Sequence, residues 1–138
     1  MQTLSQKYAA DAYKRVNQIA EKDEKYQKKY GTMAHKLPIL IRTAGLVQAL
    51  AFVAAKGSGT KAWWQYLEDV AKTVDAQLDA KMLIEKSQKA KAGLNEYILL
   101  TRRVSQATLW YKRFAESILK VEASEQTDDE TEEEEGDA

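Results

Sequence analysis

The chain has 138 residues, which is enough for one domain with a modest core. It contains no cysteine, which excludes a disulfide framework, a thiol nucleophile and a cysteine-based metal site. Its formal net charge is zero, but this value conceals two parts of opposite charge.

Residues 1–121 hold all 21 Lys and Arg but only 11 acidic residues, so this body has a net charge of +10. Residues 122–138 hold the other 10 acidic residues and no basic one. We expect the body to attract a polyanion, of which nucleic acid is the commonest; a solvated surface with surplus lysines is the alternative. The acidic segment repels itself and has little apolar surface. The sequence therefore predicts a helical bundle domain over 1–121 and a disordered acidic tail over 122–138.

The first predicted helix opens at Thr3, which together with Gln6 matches a capping box. Apolar residues then recur at helical spacing, and the polar side is rich in lysine. The pattern predicts a helix that runs to about Tyr30 and ends at Gly31.

The second helical stretch includes the most apolar part of the chain, residues 36–60. Thr32 can cap its start, Pro38 is expected to bend or reset it, and Gly45 is a second weak point. The sequence therefore predicts either one kinked helix over about 32–56 or two short helices that meet near Gly45.

The apolar stretch is too short to cross a membrane. Only the 13 residues 43–55 lack a charge, whereas a span needs roughly 20 apolar residues. Extending it backwards includes Arg42, which costs about 2.5–3.5 kcal/mol on insertion. Its apolar stripe and its alanines instead predict a helix at the centre of a small bundle, with Arg42 projecting near Lys36.

Residues 57–59 form a clear break, and Thr60 can cap the helix that follows. Trp64 falls outside the apolar stripe of that helix and is a candidate surface or partner anchor. A weaker, short helix is predicted over about 76–91, and Gly93 closes it.

The last predicted helix has the most regular pattern in the chain. Its apolar residues step by three and four without interruption, which predicts a packed seam of Tyr97, Leu100, Val104, Ala107, Tyr111, Phe114, Ile118 and Val121. At about 100° per residue, Arg102, Arg113 and Lys120 fall almost opposite this seam, and Arg103 and Lys112 flank it. One face of the helix is therefore predicted to pack and the other to present cations. In total we expect an all-α bundle of about five helices.

Several motifs resemble a known family. The segment YGTMAHKLPILIRTAGLVQALAFVAAKG, residues 30–57, is similar to the small all-helical subunit of type III-B (Cmr) CRISPR complexes. The family pattern is met by Lys36, Leu37, Pro38, Leu40, Ile41, Gly45, Leu46, Gln48, Ala49, Leu50, Ala51 and Phe52. AEKDEKYQKKYGT, residues 20–32, resembles its first helix and turn, and LWYKRFAESIL, residues 109–119, its last helix. The resemblance spans about residues 1–121 and does not include the acidic tail.

The resemblance implies a non-catalytic role in a cytoplasmic ribonucleoprotein for antiviral defence. In such complexes, copies of the small subunit stack into a short filament, with a basic face along the duplex of CRISPR guide RNA and target RNA. The other Cmr subunits supply the backbone filament and the cleavage activities. The implied partners are therefore the guide–target RNA duplex, other Cmr subunits and copies of itself, with no membrane.

The residues independently suit such a role, because lysine and arginine on a helical face neutralise phosphates without reading bases. A guide complex leaves the sequence to base pairing, so protein contacts should follow the RNA backbone. The predicted RNA contacts, assumed to share one face, are Lys36, Arg42, Lys56, Lys61, Arg102, Arg103, Lys112 and Arg113. For each, a solvated surface cation is the alternative.

No catalytic or metal site can be assembled from the sequence. His35 is the only histidine and is predicted to be a plain surface or interface residue. Glu68 and Asp69 are predicted to be solvated, and the GSGT segment lacks the spacing of a phosphate loop. We therefore expect no catalytic residue, metal or cofactor. The rival function is a helical adaptor whose basic face binds an acidic protein; salt-sensitive RNA binding, with a slope of about −0.7 per phosphate, would argue against it.

Overall fold

A computed structural model describes residues 2–57, 60–90 and 93–123. Six helices lie within these ranges and pack together, and their bounds are α1 Leu4–Ile19, α2 Glu24–Ala44, α3 Leu46–Gly57, α4 Lys61–Val74, α5 Ala80–Lys89 and α6 Asn95–Ser117. The same ranges contain no strand, so the predicted all-α bundle is confirmed. The acidic tail predicted to be disordered comprises residues 122–138, and residues 124–138 of it lie outside the described ranges.

The first predicted helix is in fact divided between α1 and α2. The capping box is confirmed, because the Thr3 side chain accepts from the Gln6 N–H and the Gln6 side chain accepts from the Thr3 N–H. However, α1 ends at Ile19, and Asp23 caps α2 by accepting from the Tyr26 N–H at 2.8 Å. The prediction of one helix across this region was wrong, because it overlooked the cap that Asp23 supplies.

Gly31 lies inside α2 rather than at a helix end. A Cβ at this position would come within 2.6 Å of the Val121 Cβ, so the glycine serves a close approach between α2 and the segment after α6. Thr32 and Pro38 also lie inside α2 and neither start nor reset it. The helix ends at Gly45, whose φ of +89° suits a glycine, and α3 follows at once. Two helices meeting near Gly45 are therefore confirmed.

The centre of the bundle is formed by α6 against α1, α2 and α4. The predicted seam of α6 faces this core, with Leu100, Val104, Ala107 and Tyr111 all buried. The helix ends at Ser117, short of the end of the predicted pattern. The chain then turns so that Val121 is buried as well, through packing rather than through helical periodicity.

The apolar stretch over residues 36–60 is divided between α2 and α3, and its apolar stripe contributes to the core as predicted. Arg42 is exposed in the last turn of α2, where a cation is favourable beside the partial negative charge of a helix C-terminus. Within the described ranges, no helix combines the length and the apolar character that crossing a bilayer requires.

Candidate nucleic-acid interface

Lys36 and Lys56 meet over one aromatic ring. The Nζ of Lys36, on α2, lies 5.5 Å from the centre of the Phe52 ring, and the Nζ of Lys56, on α3, lies 5.9 Å from the same centre. Lys36 Nζ is also 6.0 Å from the centre of the Trp63 ring. In contacts of this kind the ring face attracts the ammonium group, while the N–H groups that point away from the ring can still bind water or an anion.

An open cleft of about 650 Å³ continues from this pair of lysines. It begins at Gly57, next to Lys56, where the Trp64 ring packs so closely that a Cβ on the glycine would be 3.3 Å from the Trp64 Cε3. The cleft is also lined by Lys22, Tyr26, Lys61 and Gln65, and Lys22 Nζ lies 5.5 Å from the centre of the Tyr26 ring.

The lysine pair and the cleft adjoin where Lys56 is followed by Gly57 in α3, and we term the two together the lysine face. It consists of four lysines around three aromatic rings: Lys22, Lys36, Lys56 and Lys61, with Tyr26, Phe52 and Trp64. Three of the eight predicted RNA contacts therefore lie together. The sequence pattern missed Lys22 and Tyr26, because they flank a helix start that it did not place, although the Asp23 cap signals that start.

The other predicted RNA contacts do not join the lysine face in any described contact. Arg103 lines a groove between α4 and α6 together with Asp75 and Glu96, whose carboxylates oppose phosphate binding there. Arg113 lies over the Trp110 ring, with its guanidinium carbon 4.7 Å from the ring centre. Arg42 and Arg102 are exposed and Lys112 is half-buried on their own helices. All five remain predicted contacts, distributed over more than one surface.

Trp110 belongs to an aromatic cluster between α6 and α1. Its ring stacks on Phe114, which meets Tyr13 edge-on at 5.5 Å between ring centres. The Trp110 Nε1 donates a hydrogen bond to the Ser5 hydroxyl at 3.2 Å. This tryptophan thus joins two helices and gives Arg113 a fixed platform, whereas Trp63 is buried in the core.

Asp69 lies in a buried polar network rather than in solvent, so its predicted solvation was wrong. Its carboxylate accepts from the Tyr30 hydroxyl at 2.7 Å and from the Gln65 amide at 2.9 Å, and Arg15 Nη1 is 3.7 Å away. Burial raises the pKa of Asp69, and these hydrogen bonds and the nearby arginine oppose the shift. The Tyr111 hydroxyl also donates to the Asp69 backbone carbonyl at 3.0 Å.

Because every one of these contacts joins different helices, or adjacent turns of α4, the network orients α1, α2, α4 and α6 relative to one another. Asp11 pairs with Arg15 at 2.8 Å within α1 and accepts a hydrogen bond from the Thr73 hydroxyl of α4, so both carboxylates are engaged in contacts that hold the helices together. In the described residues there is no group of three or more His, Asp and Glu that could hold a metal ion.

His35 is buried, which contradicts its predicted place at the surface. Its Nε2 lies 2.8 Å from the Val121 backbone carbonyl and therefore donates to it. The Val121 N–H in turn donates to the Ala115 carbonyl at 3.0 Å. Together with the close contact at Gly31, these bonds hold the segment after α6 against the middle of α2.

Comparison with known proteins identifies the family. The family model described as "CRISPR-associated protein (Cas_Cmr5)" matches residues 4–118, nearly the whole described body. The chain belongs to the Cmr5 family. This membership confirms the resemblance drawn from the sequence.

Two relatives agree with the Cmr5 assignment. A Thermus thermophilus protein named "CRISPR system Cmr subunit Cmr5" is 38% identical over 120 residues, which cover 87% of this chain and 99% of the relative. The X-ray crystal structure of a CRISPR-associated Cmr5 family protein from Thermus thermophilus superposes with a TM-score of 0.77 at 39% identity. The match covers 86% of this chain and 98% of that one.

Proposed function

We propose that this chain is a non-catalytic small subunit of a cytoplasmic Cmr-type CRISPR ribonucleoprotein that acts in antiviral defence. Residues 1–121 form the folded unit, copies of which stack into a short filament beside the other Cmr subunits. In this assembly the lysine face lies along the backbone of the guide–target RNA duplex. Family membership and the printed name of the Thermus thermophilus relative support the assembly.

The observation that carries the RNA-binding role is the lysine face itself. It gathers cations from α1–α2, α3 and α4 onto one surface of a body whose net charge is +10. Lysine ammonium groups are compact charges on flexible stems, so they neutralise phosphates without reading base edges. This is the recognition that a complex needs when base pairing supplies the sequence specificity.

Each copy offers few phosphate contacts, so a single copy binds RNA weakly. Stacked copies on one RNA bind together, because each further contact forms at the high effective concentration set by the first. The proposed filament therefore accounts for how a small, modestly charged surface contributes to a stable complex.

The assembly is tested by tagging the protein in its native host and sequencing the RNA that is purified with it. Repeat-derived guide RNA together with several larger subunits is the expected result. Protein partners without guide RNA would refute the assignment and favour an adaptor that binds an acidic protein.

The face is tested with two matched triple variants in the purified complex. The lysine-face variant carries Lys36→Gln, Lys56→Gln and Lys61→Gln, and the α5 control variant carries the same change at the exposed Lys81, Lys86 and Lys89. Only the lysine-face variant should reduce the salt dependence of target-RNA binding, by up to about 2 in the slope of log K against log salt. Equal effects of the two variants would show that RNA does not use this face.

A further inference from the structure

The acidic segment 122–138 is a feature that the proposed function leaves unused. It carries 10 acidic residues and opposes a body of net charge +10. The Thermus thermophilus relative aligns over 99% of its own length, so it has no segment of comparable length beyond the alignment. The acidic segment is therefore a feature in which this chain differs from that relative.

The acidic segment begins at a point that is held firmly on α2. Val121, the last residue before it, is buried, touches the backbone of α2 at Gly31 and accepts a hydrogen bond from His35. Its N–H is bonded to Ala115 in the last turns of α6. These contacts fix where the negative charge starts.

This starting point and the lysine face lie on different sides of α2, about 100° apart around the helix axis. His35, which binds the Val121 carbonyl, is followed directly by Lys36, which is part of the lysine face. An α-helix with its side chains is only about 10–12 Å across, so the path from Val121 around α2 to the Lys36 ammonium is short.

The acidic segment is also long enough to cover the whole lysine face. Its 17 residues could span up to about 60 Å if fully extended. By comparison α3, which connects Phe52 and Lys56 to the cleft, is 12 residues and therefore about 18 Å long.

The cleft of the lysine face is a better match for a polyanion than the groove beside α5. Among the described residues that line its cleft there are two lysines and no carboxylate. In contrast, Glu85 and Glu96 line the groove of Lys86 and Lys89. Charge complementarity and proximity therefore select the same surface.

We propose that the acidic segment 122–138 docks on the lysine face and competes there with external polyanions. Its carboxylates take the positions that phosphates take in an RNA complex. Because the segment is tethered, it acts at an effective concentration of the order of millimolar and occupies the face until a multivalent RNA displaces it. The docking shares its surface with the proposed function but does not depend on the Cmr assignment.

Docking is tested without RNA, by attaching a spin label to the far end of the segment. The chain has no cysteine, so Ala138→Cys gives one labelling site in the 138-residue chain. At low salt the label should broaden the amide signals of residues near Phe52, Lys56 and Lys61, and spare those of α5. About 1 M salt, with a screening length near 3 Å, should abolish the effect. Broadening centred on α5, spread evenly over the body, or absent would overturn the proposal.

Competition is tested by comparing the full chain with residues 1–123, which retain the Val121 contacts, using a 20-nucleotide oligouridylate at low salt. Removal of residues 124–138 should tighten binding by about 3–10-fold. In the lysine-face variant this gain should fall below about twofold, whereas the α5 control variant should keep it. An equal gain in both variants would show a general effect of net charge and would refute docking on the lysine face.

Discussion

The contact between Gly31 and Val121 makes Gly31→Ala an informative substitution. In an ordinary helix this change stabilises by about 1 kcal/mol, because alanine loses less conformational freedom than glycine. Here the new methyl group would lie 2.6–2.8 Å from three side-chain atoms of Val121. Overpacking of this kind costs about 1–3 kcal/mol.

The cost has an upper limit, because the segment after α6 can move away from α2. Full release would forfeit the burial of Val121, worth about 1.5–3 kcal/mol, and the hydrogen bond from His35, worth about 1 kcal/mol. After subtraction of the helix-propensity gain of about 1 kcal/mol, we expect Gly31→Ala to lower the free energy of unfolding by up to about 2 kcal/mol.

Urea unfolding of four proteins measures this effect: wild type, Gly31→Ala, Val121→Gly and the double variant. Val121→Gly removes all three close atoms but keeps the carbonyl that His35 binds. In that background Gly31→Ala should become stabilising by about 0.5–1 kcal/mol. A Gly31→Ala change with the same effect in both backgrounds would show that Val121 does not pack on α2 as described, and would remove the fixed starting point of the acidic segment.

Three further substitutions test the buried polar contacts by urea unfolding and hydrogen exchange. His35→Ala should lower the free energy of unfolding by about 2–3 kcal/mol and, by releasing the segment after α6, speed hydrogen exchange of the Val121 amide. An unchanged exchange rate would contradict the hydrogen bond from His35 to the Val121 carbonyl. Tyr30→Phe removes a 2.7 Å hydrogen bond to the Asp69 carboxylate and should cost about 1.5–3 kcal/mol; a neutral effect would mean that the bond is not formed. Burial raises the pKa of Asp69, so as the pH falls the folded state binds a proton at this carboxyl before the unfolded chain does. The contribution of Asp69 to the free energy of unfolding therefore increases as the pH falls. Asn cannot titrate, so the destabilisation caused by Asp69→Asn should grow as the pH falls from about 7 towards the ordinary aspartate pKa of about 3.9, and a constant difference would refute the raised pKa.

Local signals in the sequence were sufficient wherever neighbouring residues decide the structure. The capping box at Thr3 and the seam of α6 are confirmed, whereas residues 58 and 59 of the predicted break lie outside the described ranges. Each depends on contacts within one or two helical turns, which the order of residues specifies directly. The family resemblance was readable for the same reason, since it rests on motifs of consecutive residues.

Predictions failed where a distant residue decides the outcome. A glycine such as Gly31 is typical of a helix end. This glycine instead lies inside α2, because the side chain of Val121, 90 positions later in the chain, packs closely against it. Asp69 and His35 are residue types usually found at the surface. Both are buried here, because Asp69 accepts a hydrogen bond from Tyr30 and His35 donates one to Val121. Burial of a polar group is tolerated only when a partner is present, and that partner cannot be read from a local pattern.

The functional surface shows the same division. The sequence by itself determined the charge of the body, the acidic segment and the helices that carry the cations, because these follow from composition and periodicity. Only the tertiary structure decided that Lys61 shares a cleft with Lys22 and that Lys36 meets Lys56 over Phe52, while Arg103 and Arg113 lie elsewhere. The physical reason is that helix packing, not sequence distance, sets which side chains become neighbours, and packing is a property of the whole bundle.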